Sequence, residues 1–179
     1  MGRTLVANFY GGPSSGKSTM CAGTFAWLKC QGINCEMALE VAKDYVWSAN
    51  YKDLSDQIHV FGQQHLRLSR LRGQVEVVLC DGPLLHSLLY DQTGHPSFSP
   101  SIVEAHRSFR NLNFFVGRTR PYNPKGRYHT EEQAKELDAR TKKLLQDNGE
   151  SFFDIPGDWK NIPDFGQIIL ERLQQDEPQ

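Results

Sequence analysis

A glycine-rich motif near the start of the chain limits its possible folds more than any other feature. The segment from Gly11 to Ser18 reads Gly-Gly-Pro-Ser-Ser-Gly-Lys-Ser and matches the P-loop pattern G-x-x-x-x-G-K-[ST], which holds nucleotide phosphates. An apolar run precedes it at residues 5–10, and a segment with helical spacing follows it from 18 to 31. Because a strand, a glycine turn and a helix form the setting that this motif requires, the sequence predicts a P-loop NTPase fold.

The motif also predicts which groups surround the phosphates. Glycines let the backbone approach an anion closely, and the helix N-terminus adds partial positive charge. Lys17 is predicted to reach the β- and γ-phosphates, and the Ser18 hydroxyl to join the coordination of Mg²⁺. The sequence therefore predicts ATP and Mg²⁺ as cofactors. The predicted nucleotide-binding residues are Gly11, Gly12, Pro13, Ser14, Ser15, Gly16, Lys17, Ser18 and Thr19.

Length and composition are those of one globular α/β domain. The chain has 179 residues, 39% of them hydrophobic, and a formal net charge of -1, so no global basic field draws the whole protein onto nucleic acid. Neither a signal-like N-terminus nor an apolar run of membrane-spanning length is present, and the four cysteines lack zinc-site spacing. We expect a cytoplasmic protein with no membrane partner, a single domain over residues 1–174 and a disordered tail over 175–179.

Five strands that alternate with helices predict a three-layer α/β/α fold with a five-stranded parallel sheet, like that of nucleoside and nucleotide kinases. A long helix over 54–72 is predicted to bury a stripe that includes Ile58 and Leu68. Its other face carries Gln63, Gln64 and Arg67, which are either solvated or hold an acceptor base. The strands are predicted at 3–10, 33–39, 75–80, 112–117 and 151–155, and the other main helices at 17–31, 41–50, 101–110, 131–147 and 163–174.

Two carboxylates at the ends of predicted strands are the candidate reacting groups. Ligands of open α/β sheets bind beyond the carboxyl ends of the strands, where Glu40 and Asp81 stand. Asp81 fits the Walker B arrangement, in which an aspartate orients Mg²⁺. Either Glu40 or Asp81 is predicted to take the proton from an acceptor hydroxyl. We favour Glu40, because Asp81 is better used on the metal.

A basic loop over residues 118–129 is predicted to act as a lid. It contains two prolines and a glycine, and it concentrates Arg118, Arg120 and Arg127 with a lysine and two tyrosines. Such a loop folds over ATP, and its arginines offset the charge that develops on the transferred phosphoryl group. Farther along, the loop at 156–158 is predicted to lie near the adenine ring.

Among P-loop proteins of this size, a kinase fits the sequence best. A GTPase needs an Asn/Thr-Lys-x-Asp guanine motif, which the sequence lacks after the fourth and fifth predicted strands. A water-activating ATPase usually has a glutamate beside the Walker B aspartate, where this chain has Gly82. A nucleotide-binding regulatory module without phosphate transfer is the alternative from another class.

Four blocks of sequence, at residues 8–19, 40–45, 80–85 and 118–127, together resemble the small bacteriophage P-loop kinases. These are related to the kinase domain of the NadR ribosylnicotinamide kinases and to the thymidylate kinase superfamily. The resemblance implies phosphate transfer from ATP·Mg²⁺ to a hydroxyl of a nucleoside-like acceptor. Within this group are enzymes that phosphorylate 5-hydroxymethyluracil in DNA, a step toward hypermodified thymidines, and that acceptor is the first one implied.

The resemblance leaves a second acceptor open: a free nucleoside, a nucleoside monophosphate or ribosylnicotinamide. A DNA acceptor predicts a basic groove that includes Arg67, Arg70, Lys125 and Arg127, and activity that falls steeply with salt. A free acceptor predicts a closed pocket and weak salt dependence. If a phage encodes the chain, we expect the protein in the cytoplasm of the host cell. We also expect that it can form a homodimer.

Overall fold

The central sheet of the protein has five parallel strands in the order β2-β3-β1-β4-β5, which confirms the predicted fold class. The computed structural model describes residues 4–123 and 130–175. β1 is the middle strand and pairs with β3 and β4, so the P-loop motif emerges at the centre of the carboxyl edge of the sheet. The strands span Leu5–Tyr10 (β1), Cys35–Ala38 (β2), Val77–Cys80 (β3), Arg110–Gly117 (β4) and Phe152–Pro156 (β5).

Helices connect the strands and cover both faces of the sheet. Two short 3-10 helices precede α5 and α8, at Leu84–His86 and Trp159–Asn161. The α-helices span Lys17–Cys30 (α1), Val41–Trp47 (α2), Tyr51–Ser55 (α3), Gln57–Ser69 (α4), Ser87–Tyr90 (α5), Phe98–Arg107 (α6), Glu131–Asp147 (α7) and Ile162–Gln174 (α8).

The alternation of side chains along β1 divides the core into two layers. Leu5, Ala7 and Phe9 pack on the side of α1 and α8, whereas Val6 and Tyr10 pack on the side of α4, α6 and α7. Because helices cover both faces, every residue of β1 is buried, as is usual for the middle strand of a parallel sheet. The strand that carries the P-loop is thus held rigidly on both sides.

The predicted helix over 54–72 is wrong in its extent and partly in its orientation. The side chain of Asp56 accepts a hydrogen bond from the His59 amide at 3.0 Å and caps a second helix, so the segment divides into α3 and α4. Ile58 is 50% exposed, whereas Gln64 is buried. Gln64 faces inward because its side-chain oxygen accepts a hydrogen bond from the Val41 amide at 2.9 Å.

Parts of the predicted lid and of the predicted tail fall outside this description. Residues 124–129 of the predicted lid, Arg127 among them, and residues 176–179 of the predicted tail lie outside the described residues. The single-domain boundary at residue 174 stays a prediction. Over 4–123 and 130–175, none of the helices has both the length and the apolar character that a membrane span needs.

Candidate active site

The P-loop folds around its own lysine at the carboxyl end of β1. Gly11 and Gly16 have φ angles of 138° and 104°, which glycine adopts without strain and which let the chain turn sharply from β1 into α1. A Cβ on Gly11 would lie 2.7 Å from the Ser15 hydroxyl, so the turn has no space for a side chain there. The Lys17 ammonium donates to the carbonyls of Gly11 and Gly12, at 2.8 and 3.2 Å.

One amide at the start of the loop is bonded to a side chain of the protein, and three near its end are available. The Gly12 amide donates to the Asp138 carboxylate at 2.6 Å. Among the described residues, by contrast, the amides of Gly16, Ser18 and Thr19 donate to no protein acceptor. They lie at the N-terminus of the 14-residue helix α1, where the helix dipole favours an anion. The loop can therefore receive phosphate oxygens.

Arg118 lies beside the start of the P-loop, paired with Asp138. Its guanidinium donates from Nε and Nη2 to Oδ2 of Asp138, at 3.2 and 3.1 Å, while Oδ1 of the same carboxylate accepts from Gly12. Both side chains are at most one-fifth exposed, and a buried, hydrogen-bonded pair of this kind fixes the elements that carry it. In the structure, Arg118 therefore ties the segment after β4 and helix α7 to the loop, and its predicted role toward the transferred group stays a prediction.

The described part of the predicted lid rests on the P-loop. Arg120 is exposed and lines the cavity in front of the loop. Three residues later, the Asn123 amide donates to the Ser14 hydroxyl at 3.1 Å. Of the two arginines in the described part of the lid, Arg120 is the one that lines the cavity.

The loop after β5 packs directly on the other side of the P-loop. The Gly157 amide donates to the Gly117 carbonyl at 2.7 Å, and the Thr119 hydroxyl donates to the Gly157 carbonyl at 3.0 Å. A Cβ on Gly157 would lie 2.6 Å from the Ser15 carbonyl oxygen. Glycine here allows the predicted adenine loop to lie against the phosphate-binding turn.

The oxygens predicted to bind Mg²⁺ converge on one cation, the ammonium of Lys43. Its Nζ donates to Oδ2 of Asp81 at 2.9 Å and to the hydroxyl of Ser18, while Oδ1 of Asp81 accepts from the Glu40 amide at 2.8 Å. Burial alone would raise the pKa of Asp81, but the Lys43 ammonium, the Ser18 hydroxyl and the Glu40 amide together lower the pKa below its usual value. The buried carboxylate is therefore charged at neutral pH.

This convergence shows that Ser18 and Asp81 fit a metal ion. Both side chains already point at one position that accepts positive charge, and carboxylate and hydroxyl oxygens are ligands that Mg²⁺ prefers. In the part of the chain that the structure describes, no group of three or more His, Cys, Asp and Glu side chains could hold a metal. A metal bound here would take its remaining ligands from phosphates and water, as Mg²⁺ usually does.

Sequence reasoning missed Lys43, although the sequence contains a signal for it. Lys43 follows Glu40 by three residues at the start of α2, and residues with that spacing lie on one face of a helix. The candidate base at the N-cap of α2 and the cation in its first turn therefore line the same cavity. The distance between Lys43 Nζ and the Glu40 carboxylate is 3.6 Å.

Glu40 lies beside Asp81 because the chain segments that follow β2 and β3 approach each other closely. A Cβ on Gly82 would lie 2.9 Å from the Cα of Glu40 and 2.9 Å from the side-chain oxygen of Gln64. The first of these neighbours is backbone and cannot rotate away. Glycine after Asp81 therefore allows the two carboxylates to share one edge of the cavity.

We expect Gly82→Ala to lower the free energy of unfolding by about 1–3 kcal/mol, the usual cost of overpacking. Urea unfolding measures this effect. The matched control is Gly62→Ala in the middle of α4, where an added Cβ would meet nothing within 4 Å. There we expect a small gain, of about 0.5–1 kcal/mol, from helix propensity. Equal stability of the two variants would contradict the close approach at Gly82.

A cavity of about 900 Å³ joins these groups, at the upper end of the range for ligand pockets. The P-loop lines one end of the cavity. The remaining wall comes mainly from α2, α3, α4 and the segment after β3, and it mixes apolar and aromatic side chains with polar ones. They include Val46, Tyr51, Leu54, Val60, Gln64, His86 and Tyr90.

His86 is an uncharged imidazole in this wall. Burial, and then the nearby Lys17 ammonium, lower its pKa to about 3, so the ring is neutral at physiological pH. Its Nε2 is buried and has no hydrogen-bond partner in the described part of the chain. The ring packs edge-on against Tyr10, with 5.1 Å between the ring centres. His86 therefore adds aromatic surface near the phosphate site without adding positive charge.

Comparisons with known proteins agree with this fold. A sequence profile of the family described as "AAA domain" matches residues 6–161. Among solved structures, shikimate kinase from Acinetobacter baumannii in complex with shikimate has a TM-score of 0.53 and 12% identity, over 98% of this chain and 96% of that chain. At that identity the likeness shows the fold alone, a P-loop NTPase fold with a five-stranded parallel sheet. None of the curated proteins searched matches the chain.

Proposed function

The chain belongs to the AAA domain family, and on that premise we propose that it is an ATP-dependent kinase acting on a hydroxyl of a nucleoside-like acceptor. One observation carries the proposal: a single cavity contains the P-loop and, beside it, Glu40 and a wall that mixes apolar, aromatic and polar side chains. Its volume of about 900 Å³ lies at the upper end of the range for ligand pockets, which supports a site for two substrates. The likeness of the fold to shikimate kinase supports the reaction class.

The residues divide the proposed reaction between them. Lys17 and the free amides of the P-loop hold the β- and γ-phosphates of ATP. Ser18 and Asp81 would hold Mg²⁺, which when bound offsets phosphate charge. The Glu40 carboxylate takes the proton from the acceptor hydroxyl as that oxygen forms its bond to the γ-phosphorus, and ADP leaves. Arg120 at the cavity rim offsets charge on the transferred group, and Arg127 is proposed for the same role.

For the acceptor we propose the 5-hydroxymethyl group of 5-hydroxymethyluracil in phage DNA. The resemblance of the chain to the small phage kinases supports this choice. A base in a duplex reaches such a cavity only by turning out of the stack, and enzymes that do so commonly hold it between aromatic and apolar side chains. The wall of the cavity offers Tyr51, Tyr90, Val46 and Leu54 for such contacts.

A free nucleoside is the second candidate, and Arg67 favours it. This arginine was predicted to line a groove for DNA phosphates. Instead it pairs with Asp44 and donates to the Leu39 carbonyl at 2.9 Å. An arginine held in this way by its own protein contributes less to a DNA backbone, so the acceptor requires a direct test.

That test offers radiolabelled ATP and Mg²⁺ to the protein with a panel of acceptors: 5-hydroxymethyluracil DNA, thymidine, thymidylate and ribosylnicotinamide. We expect label in the DNA, at a rate that falls tenfold or more between about 50 and 200 mM salt, because phosphate contacts release counterions. Label in a free compound with weak salt dependence would replace DNA as the acceptor. ATP binding with no labelled product would contradict the kinase proposal and support a regulatory module.

A further inference from the structure

Lys43 stands where the oxygens assigned to the metal meet. Its ammonium donates to Oδ2 of Asp81 at 2.9 Å and to the Ser18 hydroxyl. The side chain is 25% exposed and lines the cavity, so a ligand that enters the cavity reaches it. One of its partners belongs to the P-loop and the other follows β3. The ammonium therefore bridges the two elements that a bound metal would bridge.

We propose that Lys43 is a resident cation that Mg²⁺ displaces when it binds between Ser18 and Asp81. In the metal-free protein the ammonium neutralises the buried carboxylate and keeps both oxygens turned toward one point. This inference rests on the proposed function in one respect, that Ser18 and Asp81 are the metal ligands.

The surroundings of Lys43 allow it to leave while the site keeps its shape. Oδ1 of Asp81 is anchored separately by the Glu40 amide at 2.8 Å, so the carboxylate stays in position when Oδ2 is released. The Lys43 side chain lines the cavity, so the released ammonium can turn into it and leave the Glu40 carboxylate available as the base. Lys43 has a flexible, unbranched side chain, so the exchange needs rotation of single bonds and no movement of the backbone.

A resident cation makes the site selective for metal that arrives with the nucleotide. The Lys43 ammonium competes with the metal ion for the site. If it occupies the site nine-tenths of the time, the apparent affinity for the metal falls about tenfold. Free Mg²⁺ would find only two protein ligands in the site, the oxygens of Ser18 and Asp81, and it loses its water ligands reluctantly. The nucleotide complex of the metal also has the P-loop amides and Lys17 as partners. Lys43 lowers both affinities by the same factor, but the nucleotide complex has these further partners and still binds at concentrations at which the free ion does not.

The experiment titrates Mn²⁺ into the full chain, without nucleotide and then with saturating ADP, and measures free Mn²⁺ by electron paramagnetic resonance. Mn²⁺ is the probe because carboxylate and water oxygens suit it as they suit Mg²⁺. Without nucleotide, we expect Lys43→Met to bind Mn²⁺ about tenfold more tightly than the wild type. With ADP, both proteins should bind Mn²⁺ more tightly, and the variant should keep its advantage.

A second readout is thermal unfolding in EDTA and in Mn²⁺. We expect Lys43→Met to melt below the wild type in EDTA, because buried Asp81 loses its partner, and Mn²⁺ to raise the melting temperature of the variant more than that of the wild type. Lys43→Gln is the second variant. It keeps a hydrogen-bond donor for Asp81 but has no charge, so the increase in Mn²⁺ affinity can be measured even if the methionine variant does not fold.

The matched control is Lys135→Met, which removes an exposed ion pair in which Lys135 Nζ lies 2.9 Å from the Glu131 carboxylate. It should change neither the Mn²⁺ affinity nor the melting temperature. Mn²⁺ affinity in the Lys43 variants that equals or falls below that of the wild type overturns the proposal, and so does a lack of Mn²⁺ binding in every form. Neither readout involves phosphate transfer. If the protein phosphorylates an acceptor but the Lys43 variants bind Mn²⁺ no more tightly, only the role of Lys43 is contradicted. If the variants bind Mn²⁺ more tightly but no phosphate is transferred, only the kinase proposal is contradicted.

Discussion

Lys17→Ala should lower the rate of phosphate transfer by about a thousandfold or more while the protein stays folded, because a positioned charge that stabilises a transition state has an effect of this order. The ammonium lies within the P-loop, on the carbonyls of Gly11 and Gly12, and close enough to lower the pKa of His86 in the cavity wall. Alanine leaves no charge in that position. The measurement is the single-turnover rate with saturating ATP and Mg²⁺.

The control for this variant is Lys29→Ala on the same helix. Lys29 is exposed and pairs loosely with Glu36 at 3.8 Å, so its loss should leave the transfer rate unchanged. Both variants should keep the far-ultraviolet circular dichroism of the parent and unfold within about 1 kcal/mol of it. A Lys17→Ala protein that transfers phosphate at close to the parent rate would show that the P-loop has been misassigned.

The parts of the fold that the sequence predicted well are those encoded by neighbouring residues. The apolar run of β1, the glycine turn and the start of α1 follow one another within 30 residues, and each has a local signature. The position of Asp81 at the end of β3 is local in the same sense. Parallel strands place their carboxyl ends at one edge, so the closeness of Glu40 and Asp81 also follows from the sequence.

The parts that the sequence did not predict depend on contacts between distant residues. The helical spacing places Gln64 on a face that is either solvated or holds an acceptor base. Its hydrogen bond to Val41 turns it away from solvent, and it lines the cavity. Arg118 was assigned to the lid because it begins a basic loop, but Asp138 on α7, twenty residues later, holds it beside the P-loop. A hydrophobic or charge pattern does not specify such pairings, because each needs the folded geometry to bring its partners together.

The second large effect is expected at Glu40, the proposed general base, which lies at the same edge of the sheet. Glu40→Gln keeps the size of the side chain and removes its capacity to accept a proton, so we expect transfer to slow by about a hundredfold, the lower range for loss of a general base. The KM for ATP should change little, because the P-loop and the Asp81 carboxylate stay in place. The measurement separates kcat from KM with acceptor at saturation.

The matched control is Glu36→Gln on β2, four residues earlier, where the carboxylate is half exposed and pairs with Lys29 at 3.8 Å. Its transfer rate should equal that of the parent. A Glu40→Gln protein with the parent kcat would remove Glu40 from the role of base and leave Asp81 as the remaining candidate carboxylate. Asp81 would then have to accept the proton while paired with a cation that lowers its pKa. The same ammonium lies farther from Glu40, at 3.6 Å, than from Asp81, at 2.9 Å. Because a carboxylate of lowered pKa is a weaker base, the geometry favours Glu40.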